Sequence, residues 1–422
     1  MKIPPSSSLS RNFYLSLASI TLCFSSPSIA QTNAVDHVSN EQAFQQCLPV
    51  LGQKMEQQGD DVNRIKQELD SLSYVPRVIE LDRSQPEFIS TFPDYFTKRV
   101  NDWRINKGKE ALAKHKDFLR ELTNQYGIPG HYLISFWGLE TNFGSYKGKM
   151  STLDSLATLA CDARRANFFT KELALALKLM DEQGLDKSKM QGSWAGAMGH
   201  TQFMPSTYTS YAIDGDGDNK IDLWESEKDA LASAANFLWK LGWKSGLRWG
   251  REVILPAEFD FALADKSPRP LAFWQAQGIT KVNGESIGNA SIDAKLLMPA
   301  GFSGPAFLVY KNFDIILRWN NSEFYGIAVG QLANQVAGGT GLATALPDLP
   351  RYSIKEMAQI QRDLNALGFD VGGADGIIGP ATRAGLAAFQ SSQGLIADGF
   401  PSAKTVDAIK QVLITKNQSA VK

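Results

Sequence analysis

Histidine is nearly absent from this chain. Four occur among 422 residues, at positions 37, 115, 131 and 200, and none stands at metal-ligand spacing from another. That excludes a histidine-built metal centre. Cysteine is scarcer still, with Cys23, Cys47 and Cys161 only, too few for a disulfide-dense scaffold. A surplus of either charge is missing too: 43 basic residues stand against 44 acidic ones. Nucleic acid is thereby excluded as a partner, because neutralising phosphates demands a basic excess. Beyond the amino-terminal stretch no apolar run approaches the roughly 20 residues of a membrane span.

What is present begins with an export signal. Lys2 and Arg11 precede the apolar run Phe13 to Phe24, and Ser28-Ile29-Ala30 offers small residues for cleavage, so residues 1–30 read as a signal peptide. Leu22 precedes Cys23 where a lipoprotein signal wants a small residue, which argues against a lipid anchor. Cys47 and Cys161 remain, and in an oxidising compartment they read as one disulfide tying an amino-terminal helix to the chain after residue 140. Two buried free thiols are the alternative.

Phe44, Cys47, Leu48, Leu51 and Met55 open the mature chain at helical spacing, and helical patterns continue to about Leu247. From Val253 to Tyr310, short apolar runs broken by Pro, Gly and Asn predict a small strand-containing insertion. One helix is expected from about Asn312 to Ala333. Gly338, Gly339, Gly341, Pro347 and Pro350 then mark a flexible linker. A compact unit with its own periodicity follows, and no internal repeat is evident. Trp194, Trp224, Trp239, Trp243 and Trp249 gather in one region, where sugar stacking and core packing are both open.

The segment Phe136-Trp-Gly-Leu-Glu-Thr-Asn-Phe-Gly144 plants Glu140 in an almost wholly apolar helix, expected to start at Pro129 and stop at Gly144. Desolvation and the negative end of the helix dipole both predict a raised pKa, suited to a general acid. A structural Glu satisfied by an Arg is the competing reading.

Glu140-Thr-Asn-Phe-Gly144 is followed by Arg164-Arg165 and by Ser193-Trp-Ala-Gly-Ala-Met-Gly-His-Thr-Gln-Phe-Met-Pro-Ser206. With Tyr74-Val-Pro-Arg-Val-Ile-Glu-Leu-Asp82 and Trp319-Asn-Asn-Ser-Glu-Phe-Tyr325, these strings resemble the B family of lytic murein transglycosylases. The resemblance implies a mainly α, lysozyme-like catalytic domain over 38–336 that cleaves the MurNAc–GlcNAc bond of peptidoglycan in the periplasm without water. It further implies that Glu140 protonates the leaving oxygen, that the muramic 2-acetamido group assists, and that Glu140 then deprotonates the C6 hydroxyl to leave a 1,6-anhydro end. No organic cofactor is called for. Motif matching makes Arg165, Ser193, Gln202, Trp319 and Tyr325 substrate contacts, with Ser193 on the acetamido group. Trp319 stands where other members carry a tyrosine, and Arg165 has an ion pair with an acid as its alternative. Asp154 and Asp162 are the nearest candidates for a second carboxylate, which ordinary glycosidases need.

Asp214-Gly-Asp-Gly-Asp-Asn-Lys-Ile-Asp-Leu-Trp-Glu225 resembles the calcium loop of an EF-hand. Asp214, Asp216, Asp218, the Lys220 carbonyl and Asp229 are the expected ligands of a structural Ca2+, with Glu225 as the other candidate to close the loop. Asn219 stands where a glycine is usual. A metal-free turn is the alternative.

After the linker at 337–351, Ala374-Asp-Gly-Ile-Ile-Gly-Pro-Ala-Thr-Arg383 and Leu386-Ala-Ala-Phe-Gln390 resemble the small three-helix peptidoglycan-binding domain of wall enzymes, over 352–412. The expected partners are glycan strands and companion wall enzymes. A hydrolytic muramidase and a non-catalytic wall-binding scaffold stay open beside the transglycosylase.

Overall fold

The computed structural model describes residues 32–59, 62–84 and 90–420. The expected leader at 1–30 lies outside them. The chain divides into a unit ending at Gln46 and one from Cys47 to Lys422, and the second holds every element described below.

Its centre is the helix Gly130–Thr141, buried at nine of its twelve positions. A helix apolar on all sides must be enclosed on all sides, and Asp102–Lys114, Lys116–Tyr126, Glu227–Lys240 and Glu323–Val336 pack around it. Thr152–Cys161 and Ala166–Glu182 form a second packed pair. A disulfide joins Cys161, the last residue of the former, to Cys47.

The central helix stops three residues before Gly144. Asn142, in the left-handed region, caps it, and Phe143 also has positive φ. The stop is a tertiary effect. Buried Arg104 donates to the Gly138 carbonyl and to Asn142 Oδ1, while the Phe143 ring covers Gly138 where a Cβ would stand.

The insertion is a five-stranded antiparallel sheet in the order Arg269–Pro270, Asp293–Leu297, Ala306–Val309, Gly250–Ile254, Thr280–Lys281. It closes on its own core, which includes Val253, Trp274, Leu296 and Leu308. The helix expected from 312 to 333 is two, Lys311–Ile316 and Glu323–Val336. Asn320, Asn321 and Ser322 explain the break: such side chains compete with helical hydrogen bonds, and the Ser322 hydroxyl caps the second helix by accepting the Tyr325 N–H. Of the gathered tryptophans, Trp224, Trp243 and Trp249 are buried core, whereas Trp239 is half exposed.

The carboxy-terminal helices Ile354–Leu367, Pro380–Ser392 and Ala403–Ala420 enclose Met357, Leu364, Leu386, Phe389, Val406 and Ile409. The expectation of no repeat fails here, because one device is built twice. Gln361 Nε2 donates to Asp375 Oδ1, the Ile377 carbonyl and Thr382 Oγ1, while its Oε1 accepts the Gly376 N–H. Gln390 does the same with Asp398 Oδ1, the Phe400 carbonyl, Thr405 Oγ1 and the Gly399 N–H. Both glycines have positive φ and lie against the first turn of a preceding helix.

The stretch before this unit is fastened to the body, contrary to the flexible linker expected. Glu252 accepts the N–H groups of Ala343 and Thr344 at 2.8 and 2.7 Å, and Arg351 forms a two-pronged ion pair with Asp94.

Candidate active site

Glu140 comes from the last turn of the central helix, and its carboxyl reaches a cleft of about 1770 Å³ whose walls include Tyr95, Arg99, Asn320 and Tyr325. The buried Tyr325 donates its hydroxyl to Glu140 Oε1. Burial pushes the Glu140 pKa up to about 7, with the Tyr325 hydroxyl, the Arg99 charge and the Trp319 N–H pulling part of the way back. The carboxyl is therefore shared about equally between its protonated and ionised forms near neutrality, so it can either give or take a proton. Burial and the Glu140 charge together hold the Tyr325 phenol far above its ordinary pKa, so it stays a donor.

Trp319 lies in the segment between the two helices and stacks on Phe136 with centroids 4.4 Å apart, beside Phe203 and Phe237. It is thus part of the aromatic floor under Glu140. Ser193 opens a tight loop, its hydroxyl accepting the Ala195 and Ala197 N–H groups at 3.3 and 3.1 Å. Gln202, at φ 50°, spends its amide N–H groups on the Lys147 and Gly199 carbonyls. Arg165 does not meet Glu140. It pairs with buried Asp82, which also holds Arg164, and lies over the Phe169 ring at 4.8 Å.

Neither candidate second acid is free to act with Glu140. Asp154 accepts the Ser73 N–H and pairs with Lys187, and Asp162 pairs with Arg83 while accepting the Arg164 N–H. Arg99 was not singled out from the sequence, and neither was His200. The Trp137 indole donates to His200 Nδ1 at 2.9 Å, and Thr141 Oγ1 donates to the His200 carbonyl. Burial, with the Lys147 charge, pushes His200 down to about 4, so it remains a neutral acceptor. A Cβ on Gly144 would stand 2.2 Å from its ring, which explains the glycine. Gly144 therefore serves this close approach rather than helix termination.

In the acidic loop, Asp214, Asp216 and Asp229 bring one oxygen each within 4.8 Å of the others. Asp218 lies outside this trio and caps the Lys220 N–H, while Glu225 accepts an ion pair from Lys147. Asp229 is buried at the start of Glu227–Lys240 and accepts the Gly215 and Asp222 N–H groups. Asn219 adopts φ 67°, which takes the place of the usual glycine.

A transglycosylase SLT domain model matches residues 43–334, and a model described as a putative peptidoglycan-binding domain matches 353–409. The chain belongs to the lytic murein transglycosylase B family. The members of this family are peptidoglycan lytic transglycosylases, lyases acting on a polysaccharide. It is 33% identical over 249 residues to the membrane-bound lytic murein transglycosylase B of Escherichia coli, a match spanning 58% of this chain and 66% of that one, just under two thirds. SltB3 of Pseudomonas aeruginosa, solved with NAG-anhNAM-pentapeptide, is 41% identical with a TM-score of 0.83, covering 87% of this chain and 100% of its own. Slt35 of Escherichia coli, solved with calcium, is 30% identical with a TM-score of 0.57, covering 71% and 92%. No described helix is long and apolar enough to cross a membrane.

Proposed function

We propose that the protein is a periplasmic lytic transglycosylase that cleaves the MurNAc–GlcNAc bond of peptidoglycan non-hydrolytically and leaves 1,6-anhydro-MurNAc ends. The observation that carries this reading is the set of groups acting on Glu140, namely Tyr325, Arg99 and Trp319, with no carboxylate among them. Glu258, Asp260, Asp265 and Glu323 line the same cleft, and of these Asp265 is paired with Arg269 and Glu323 with Lys266. One carboxyl with a pKa near 7 can give a proton to the leaving glycosidic oxygen and then take one from the C6 hydroxyl. The nucleophiles belong to the substrate, namely the 2-acetamido oxygen and then C6–OH. Tyr325 steadies the carboxylate after the first transfer, and Arg99 offsets its charge. Ser193 and Gln202, on the motif that follows, are assigned to the sugars. Arg165 is left with a supporting role through Asp82. Association with other wall enzymes rests on the shared substrate alone.

For the acidic loop, Ca2+ held by Asp214, Asp216 and Asp229 fits the donor set, since three carboxylates crowd together and none has an ion-pair partner among the described residues. The Slt35 complex with calcium supports the same reading. Bound there, the ion would offset most of the charge of the three carboxylates and stiffen the loop.

The test is mass spectrometry of muropeptides released from sacculi by the protein and by Glu140→Gln. The expected products are one water lighter than the reducing muropeptides and are absent with the variant. Reducing-end products would instead establish a muramidase, and binding without release would establish a scaffold.

A further inference from the structure

The doubled device in the carboxy-terminal unit is engaged in one copy and open in the other. In the second copy Asp398 Oδ1 is spent inside the loop on Gln390 and the Phe400 N–H, and Oδ2 accepts the backbone N–H of Phe302, 2.9 Å away, from the catalytic part of the chain. Gly301 is pressed so close that a Cβ there would lie 2.7 Å from Asp398 Oδ2 and 2.9 Å from Phe400 Cβ. This loop therefore grips a tight turn of the catalytic part by a backbone amide.

In the first copy Asp375 Oδ1 is spent in the same way, on Gln361 and the Ile377 N–H at 2.8 Å. Its Oδ2 has no hydrogen-bond partner among the described residues. Ile377, the counterpart of Phe400, is exposed rather than covered. Gly376, Ile377 and Gly379 line the same cleft as Glu140, and so does Arg383, whose guanidinium has no ion-pair partner among the described residues.

From this we propose that the Asp375-Gly376-Ile377 loop, with Arg383, binds the stem peptide of peptidoglycan while Glu140 works on the glycan. Three features set the class of ligand. The occupied copy holds a backbone amide, the open copy adds an uncommitted cation suited to a peptide carboxylate, and its wall is continuous with the catalytic cleft. An N-acetyl amide of the sugars would offer the same N–H donor, but where a stem peptide is attached the lactyl carboxyl of the muramic residue is tied up as an amide and the remaining carboxylates are the peptide's. A second contact of this kind raises the effective concentration of substrate at Glu140 without any change in the catalytic groups.

The inference rests on the wall-acting reading above. Its test uses the full chain carrying Glu140→Gln, so that nothing is turned over, titrated with a sugar-free stem pentapeptide and, separately, with a tetrasaccharide of N-acetylglucosamine. Asp375→Asn keeps Oδ1 for Gln361 and Ile377 and turns the free acceptor into a donor. It should weaken pentapeptide binding by about tenfold or more, as should Arg383→Gln, which leaves the loop untouched, while tetrasaccharide binding stays as it was. Pentapeptide binding unchanged in both variants overturns the proposal. Tetrasaccharide binding lost in place of pentapeptide binding overturns it too, and makes the sugar amide the ligand. Absence of anhydro products from the unaltered protein would sink the proposed reaction and leave this peptide site standing.

Discussion

Glu140 gives the molecule a pH dependence of fixed sign. Its folded pKa of about 7 lies above the ordinary 4.5. Below pH 4.5 both folded and unfolded chains hold the proton and no stability is lost. Between 4.5 and 7 the unfolded chain ionises while the fold resists, so stability falls, by about 3 kcal/mol at the limit. Glu140→Gln has no such group to ionise. Its Tm relative to the parent should climb by roughly 5 °C from pH 4 to pH 8, read by calorimetry; a constant gap would contradict the raised pKa. Tyr325→Phe removes the donor that favours the ionised form, so the Glu140 pKa rises further. The alkaline limb of kcat/KM, where the acid is lost, should move to higher pH, with kcat down about tenfold. The buried acid was legible in the sequence because a lone Glu in an apolar run is costly to bury and persists where its raised pKa is put to use. Arg99 and His200 were not, since each acts on the site across distances that sequence spacing does not encode.

At the level of elements, apolar periodicity announces the helices but misplaces two ends. Gly144 looks like a stop because glycine commonly ends helices, yet Arg104 on Asn142 ends this one earlier. The 312–333 helix looks continuous because apolar spacing runs through Trp319, and the break becomes visible only with Trp319 stacked on Phe136. The doubled Gln-Asp-Gly-Thr device is hidden in the sequence because Gln and Asp are 14 residues apart in one copy and 8 in the other. The acidic loop yields a prediction at this scale. Calcium should raise Tm and a chelator should reverse the rise. Asp216→Ala removes a side chain whose one hydrogen bond among the described residues is accepted from Ser226, so it should abolish the response while moving the metal-free Tm by no more than about 1 °C. A retained response would reject the ligand set.

Across the whole molecule, the same glycine- and proline-rich composition that suggested a free tether belongs to a strap. Its N–H groups go to Glu252, and its Arg351 goes to Asp94, whose carboxyl the guanidinium holds down to about 2. Composition predicts backbone preference, and it cannot foresee partners from distant strands. Arg351→Ala should therefore open the 338–351 stretch to limited proteolysis at neutral pH, where the parent resists; equal cleavage of both would mean that the ion pair fastens nothing. The disulfide between Cys47 and Cys161 closes a loop spanning 114 positions, and its loss should cost about 5 kcal/mol in the chain-entropy picture, seen as a lower urea midpoint under reduction.

The central claim is that one carboxyl and the substrate's own hydroxyl complete the reaction with no water entering the product. Digestion of purified sacculi in water enriched in oxygen-18 tests this most directly. Every released muramic end should lack the heavy isotope and carry the mass of the anhydro sugar. Heavy oxygen at the reducing carbon of fresh products, beyond that of a control exchanged after cleavage, would show that water is the nucleophile and contradict the account.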